Sequence, residues 1–200
     1  MAINLANNNS LANITALPSS ISGGAMTLLA TQTASGSANL SFTSGIDDTY
    51  DSYVFKFINI HPSANELFEF NLSTDSGSNY NVTKTTTVFN AYHNESDSGA
   101  GVQYRDGDDL AQSTNFQYLA GGRIGIGNDE ALCGTFQLFN PSSTTFVKHF
   151  IATTSRLENA YEGNSFIAGY GNTTSAVNAV RFQMTSGNID SGVIKLYGVS

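Results

Sequence analysis

Residues 42–60 read FTSGIDDTYDSYVFKFINI, a turn crowded with acids that runs into a string of aromatic and branched side chains. Asp47, Asp48 and Asp51 either form a metal or catalytic cluster or punctuate two strands. The flanks decide it. Ahead of the acids, Ala38, Leu40 and Phe42 alternate with Asn39, Ser41 and Thr43, the period of a strand with one buried face. Behind them, YVFKFINI carries the aromatic and β-branched residues that fit a pleated, half-buried surface. Between the two, Gly and Asp tolerate positive φ or bond their own backbone, which is turn chemistry. A calcium loop of the EF-hand type needs oxygens at fixed positions, a central Gly and a terminal Glu, and the order is missing. Tyr50 and Tyr53 bracket the acids, so the stretch reads as a corner with acids outside and rings folding inward.

The same alternation recurs along most of the chain after residue 25. Phe68, Phe70 and Leu72 alternate with Leu67, Glu69 and Asn71, which places Glu69 on the solvent side. Val180, Phe182 and Met184 alternate with Ala179, Arg181 and Gln183. YVFKFINI, FVKHFIATT and GVIKLYG are richer in apolar residues, as expected of strands covered on both faces. Gly-, Asn-, Asp- and Ser-rich clusters separate the runs. The count is about ten strands, the pattern of a sandwich or barrel. The expected fold is all-β, a two-sheet jelly-roll-like β-sandwich over residues 25–200, with long loops within 91–131. Residues 1–24 carry no charged side chain and end in Gly23-Gly24. They read either as a floppy terminus or as an extended N-terminal arm whose spaced Ile3, Leu5, Leu11, Ile14 and Leu17 dock on a neighbouring subunit.

Bulk composition narrows the function classes. Of 200 residues, 40% are hydrophobic and 12% charged, about half the usual charged share. Thirteen Phe and nine Tyr supply ample apolar area for a core, which argues against disorder. A net charge of −8 lacks the basic footprint of a nucleic-acid binder and does not favour anionic membranes. The N-terminal stretch has neither the basic region nor the continuous apolar run of a secretory signal.

Catalytic patterns are sparse. His61, His93 and His149 stand alone, without zinc-site spacing. Cys133 sits at a strand start, reads as a small buried hydrophobe and has no His close in sequence to activate it. GGRIGIGN (121–128) lacks the Gly-Lys-Ser/Thr ending of a phosphate loop and reads as a hairpin or a strand with Gly bulges. Carboxylates are plentiful, but no spacing pairs them for glycoside hydrolysis. No enzyme and no cofactor is expected. The sequence leaves open whether Asp106, Asp108 and Asp109 in YRDGDDL hold calcium.

Two longer motifs carry a resemblance. ANLSFTSGIDDTYDSYVFKFINI (38–60) resembles the strand–turn–Tyr–strand signature of small structural proteins of tailed bacteriophages. AVRFQMTSGNIDSGVIKLYGVS (179–200) resembles their ending, in which a last strand closes on Leu-Tyr-Gly. STDSGSNYNVTKTTT (73–87) and LFNPSSTTFVKHFIATT (138–154) are similar to chains encoded by marine phages, and the likeness covers residues 26–200. The resemblance implies a non-enzymatic jelly-roll-like domain displayed on the virion surface, commonly as a homotrimer. Phe42, Tyr50, Tyr53, Phe55, Phe182, Ile194, Leu196 and Tyr197 would fill or close its core. The expected function is a capsid decoration (cement) or head-fibre protein, attached through the arm to the major capsid protein or to its own copies. The alternative is a tail-fibre or adhesin module that binds host surface glycans through loops around 91–109 and 156–164, with Tyr92 and Tyr104 as contacts.

Overall fold

A computed structural model describes residues 26–200. The expected docking residues Ile3, Leu5, Leu11, Ile14 and Leu17 lie outside the described residues, as does the boundary between arm and domain. The described chain holds no helix and twelve strands. They are β1 (Thr27–Ser37), β2 (Leu40–Phe42), β3 (Ser52–Pro62), β4 (Phe68–Ser73), β5 (Lys84–Asn94) and β6 (Ala100–Tyr104). These are followed by β7 (Gln117–Tyr118), β8 (Leu132–Phe139), β9 (Lys148–Glu158), β10 (Tyr161–Gly171), β11 (Ala179–Met184) and β12 (Ile189–Val199). Eight form one antiparallel sheet in the order β1-β12-β3-β8-β9-β10-β5-β6, and four form a second in the order β2-β11-β4-β7. The all-β expectation holds. The strands beyond the expected ten include the two-residue β7, too brief to show a period, and the segment 105–131 is mostly loop as expected.

The core lies between the two sheets. Phe182 of β11 stands at its centre, with Phe42, Phe55, Phe57, Phe68, Phe70 and Phe136 at ring-centroid distances of 5.1–6.5 Å. Most of these pairs meet edge-on or tilted, the arrangement the ring quadrupole favours. Tyr53 is fully buried, and its hydroxyl closes the corner that the opening stretch promised. It accepts from the Asp47 N–H at 3.0 Å and lies 3.1 Å from the Asp47 carbonyl and 3.0 Å from Asp47 Oδ1. Asp47 Oδ1 also accepts from the Thr49 N–H at 2.9 Å. The Thr49 hydrogen bonds, with help from Tyr53, hold the Asp47 carboxyl below its ordinary value, while burial raises the Tyr53 phenol. Asp47, Asp48 and Asp51 are exposed, so the acids are outside and the ring inside.

One glycine is required by a close approach. Gly192 has φ +123°, and a Cβ there would lie 2.6 Å from the Asn59 carbonyl, where β3 and β12 slip register around a bulge.

The structure corrects several expectations. FVKHFIATT is not covered on both faces: Phe150, Ala152 and Thr154 of β9 point into the core, while His149, Ile151 and Ser155 are exposed. Glu69 is not on a solvent face, being 8% exposed within a strand buried along its whole length. It accepts from Gln183 Nε2 at 2.8 Å, and burial raises its carboxyl pKa. Cys133 is exposed rather than buried, because its position is out of phase with Leu132, Phe136 and Leu138. Tyr197 does not fill the core but lies on the outer side of β12, with Lys56 Nζ 5.3 Å from its ring centroid. GGRIGIGN is neither hairpin nor strand but a loop, pinned where Ile124 enters the core and bridges Glu66.

Two lysines are buried where the sequence gives no warning. Lys84 and Lys148 pair with Gly171 from its two sides in the large sheet, and neither has a carboxylate partner among the described residues. Lys148 Nζ donates to the carbonyls of Ser143, Phe146 and Thr173 at 2.6–3.3 Å. Lys84 Nζ donates to Asn71 Oδ1 at 2.5 Å and the Val82 carbonyl at 2.8 Å. Burial pulls both amines below the ordinary lysine value, Lys84 to about 7.

Candidate functional site

Two surfaces meet at the β5–β6 edge of the large sheet, one on each of its faces. On the outer face, Phe89 of β5 stacks on Phe166 of β10 at 5.0 Å and 11°. Tyr104 of β6 pairs with Phe89 across the strands. Val102 is 75% exposed, Tyr104 55% and Ile151 53%, and both phenylalanines are also exposed. Beside them a shallow cavity of about 490 Å³ opens over Ala168, walled by Phe139, His149, Ile151 and Tyr170. Four neighbouring strands therefore present an apolar strip to solvent, where an isolated sheet face would be polar.

The other face holds a polar cleft of about 360 Å³ between the β5–β6 and β9–β10 hairpins. Asn90 and Tyr92 come from β5, Gln103 from β6, Arg105 from the loop after it, Arg156 and Glu158 from β9, and Tyr161 from β10. The rings of Tyr92 and Tyr161 lie 6.5 Å apart, tilted by 48°. Arg156 Nη1 donates to Glu158 Oε2 at 3.1 Å and the Arg123 carbonyl at 2.8 Å. Arg105 Nε donates to Asp108 Oδ2 at 2.7 Å. Arg156 is 7% exposed, and burial lowers the pKa of its guanidinium against the opposing pull of Glu158. Asn90 Oδ1 and Arg156 Nε are buried with no hydrogen-bond partner among the described residues.

The glycan contacts expected from sequence are thus separated. Tyr92 lies in the cleft, but Tyr104 is on the opposite face, since it pairs with Phe89 and successive side chains alternate. Tyr104 donates its hydroxyl to Asp109, and that hydrogen bond raises the phenol pKa. The structure does bring together the two loop regions, 91–109 and 156–164, that the alternative reading paired. Sequence reasoning missed Asn90, Gln103, Arg105 and Arg156. Their only signal was their neighbourhood, because polar residues on strands read as ordinary solvent-facing positions.

In YRDGDDL, Asp108 turns to Arg105 and Asp109 to Tyr104, so two of the three candidate calcium ligands face protein partners. Among the described residues, no group of three His, Cys, Asp or Glu side chains is placed to hold a metal ion. Nor is any helix there long and apolar enough to cross a membrane. The chain gives no match to a protein-family model, and none among curated proteins or solved structures.

Proposed function

We propose that this chain is a non-enzymatic virion surface protein of the capsid-decoration or head-fibre kind. In this reading, residues 1–24 of one copy dock on the outer sheet face of its neighbour. The observation that supports it is the open apolar strip around Phe89, Phe166 and Ile151 with its adjoining cavity. Residues 1–24 match it in chemistry, being uncharged and punctuated by Ile3, Leu5, Leu11, Ile14 and Leu17.

Length does not confine residues 1–24 to their own copy. Thr27 lies on the same cross-strand row as Gly169 at the cavity, linked through Gly198, Tyr53, Leu138 and Phe150. Five strand steps of ~4.8 Å separate them by about 24 Å, and an extended 25-residue segment spans up to about 80 Å. Repeated head to tail, such a contact closes a ring when the rotation between copies is a whole fraction of a turn, and a trimer is the proposed form.

Sedimentation of the full chain, of a variant lacking residues 1–24 and of Ile151→Asp tests this. The full chain is expected to form trimers, the truncated chain to stay monomeric with an unchanged melting temperature, and Ile151→Asp to weaken association at least tenfold. A full chain that is monomeric throughout, or trimers that survive the truncation, would contradict the proposal.

A further inference from the structure

We infer that the polar cleft between the β5–β6 and β9–β10 hairpins binds a neutral hexopyranose unit of a surface glycan. It is a second binding site, on the face of the sheet opposite the docking strip. Its lining fits a sugar better than other small ligands. The Asn90 and Gln103 amides line the cleft with groups that suit sugar hydroxyls, while Arg156 and Glu158, bonded to each other and to the Arg123 carbonyl and Asn65, form its charge-balanced wall. Tyr92 and Tyr161 supply ring surface for the C–H face of a pyranose.

Two groups at the cleft lack what a hydroxyl supplies. Among the described residues, Asn90 Oδ1 is a buried acceptor without a donor, and Arg156 Nε is a buried donor without an acceptor. A hydroxyl both donates and accepts, so one ligand chemistry answers both. Asn90 is 2% exposed and Arg156 7%, so the polar wall is held within the fold rather than draped on its surface. Glycines make room for the Arg156 side chain in this wall: a Cβ at Gly122 would overlap its guanidinium, and one at Gly163 would lie 3.2 Å from its Nε.

Charge selects against anions. Arg156 is matched by Glu158 and Arg105 by Asp108, so no uncompensated cation faces the cleft. The net charge of −8 further disfavours phosphate or sialylated ligands.

Saturation-transfer NMR on the full chain tests the assignment. The neutral probes are methyl β-glucoside, methyl β-galactoside and N-acetylglucosamine, and the anionic probes are sialyllactose and inorganic phosphate. At least one neutral sugar is expected to bind with a Kd of about 1 mM. Tyr161→Ala and Gln103→Ala, both at exposed positions, are expected to weaken it at least tenfold with the melting temperature unchanged. Tyr104→Ala, on the opposite face, is expected to leave it unchanged. Absence of any neutral-sugar signal, binding confined to the anionic probes, or insensitivity to both cleft variants would overturn the inference. A chain that fails to trimerise can still pass this test, so the docking proposal and the cleft assignment fail separately.

Discussion

Phe182→Ala is expected to destabilise the fold by about 3–5 kcal/mol, the usual cost of emptying an aromatic site in a core that cannot collapse around it. The site has little room to collapse. Phe182 is fully buried in β11, and its six aromatic neighbours come from β3, β4 and β8, in both sheets, and from Phe42 at the end of β2. Removing the ring strips contact from both layers at once. Chemical denaturation should show a lower midpoint with an unchanged slope, since the surface exposed on unfolding barely changes. Phe166→Ala, whose ring sits on the outer face, serves as the comparison and should cost far less in the isolated chain. Equal losses from the two variants would mean that the core is not centred where the structure places it.

The second large effect is a pH dependence set by Lys84. Its pKa is lowered from 10.5 to about 7 by burial. Below about pH 7 both folded and unfolded chains carry its proton, and the folded state bears the full cost of burying the charge. Between pH 7 and 10.5 the unfolded chain binds more protons, so the stability contribution of this site rises with pH. A tenfold change in proton affinity corresponds to about 1.4 kcal/mol, which makes the full rise on the order of 5 kcal/mol. Other groups titrate in the same range, so the clean observable is a difference. Lys84→Met removes the charge at similar length, and Asn71 Oδ1 keeps its hydrogen bond from the Leu72 N–H. The stability of Lys84→Met relative to the natural chain should be greatest at and below about pH 7 and decline steadily toward pH 10. A difference that stays flat with pH would show that the Lys84 amine remains charged in the fold.

Much of the fold was readable from sequence because strand period and turn chemistry are local. The corner at 42–60 is the clearest case: the acids had to turn, the rings had to pack, and Tyr53 binds back to Asp47 as that logic requires. What failed depends on neighbours far along the chain. Ile151 resembles a residue of a doubly covered strand, and only the order of eight strands in one sheet leaves its side open. Glu69 alternates like a surface residue, yet β4 is buried along its length. Asn71 on the same strand bonds the carbonyls of Tyr80 and Thr114 from loops that fold over it. Lys84 and Lys148 carry no local mark of burial at all. The cleft shows both sides of this. Its two hairpins could be paired from sequence by their tyrosines, but Arg156 and Asn90 became visible only once β5 and β9 flanked β10. Tyr104 parts from Tyr92 because which side of a strand a residue takes is set by register, not by proximity in sequence.

The central claim is that the molecule is a component of a virus particle, and its copy number per purified virion measures that most directly. Quantitative mass spectrometry against the major capsid protein, on purified virions proposed to carry the chain, is expected to find hundreds of copies at a fixed ratio to the shell. Particles lacking the protein altogether would contradict the account.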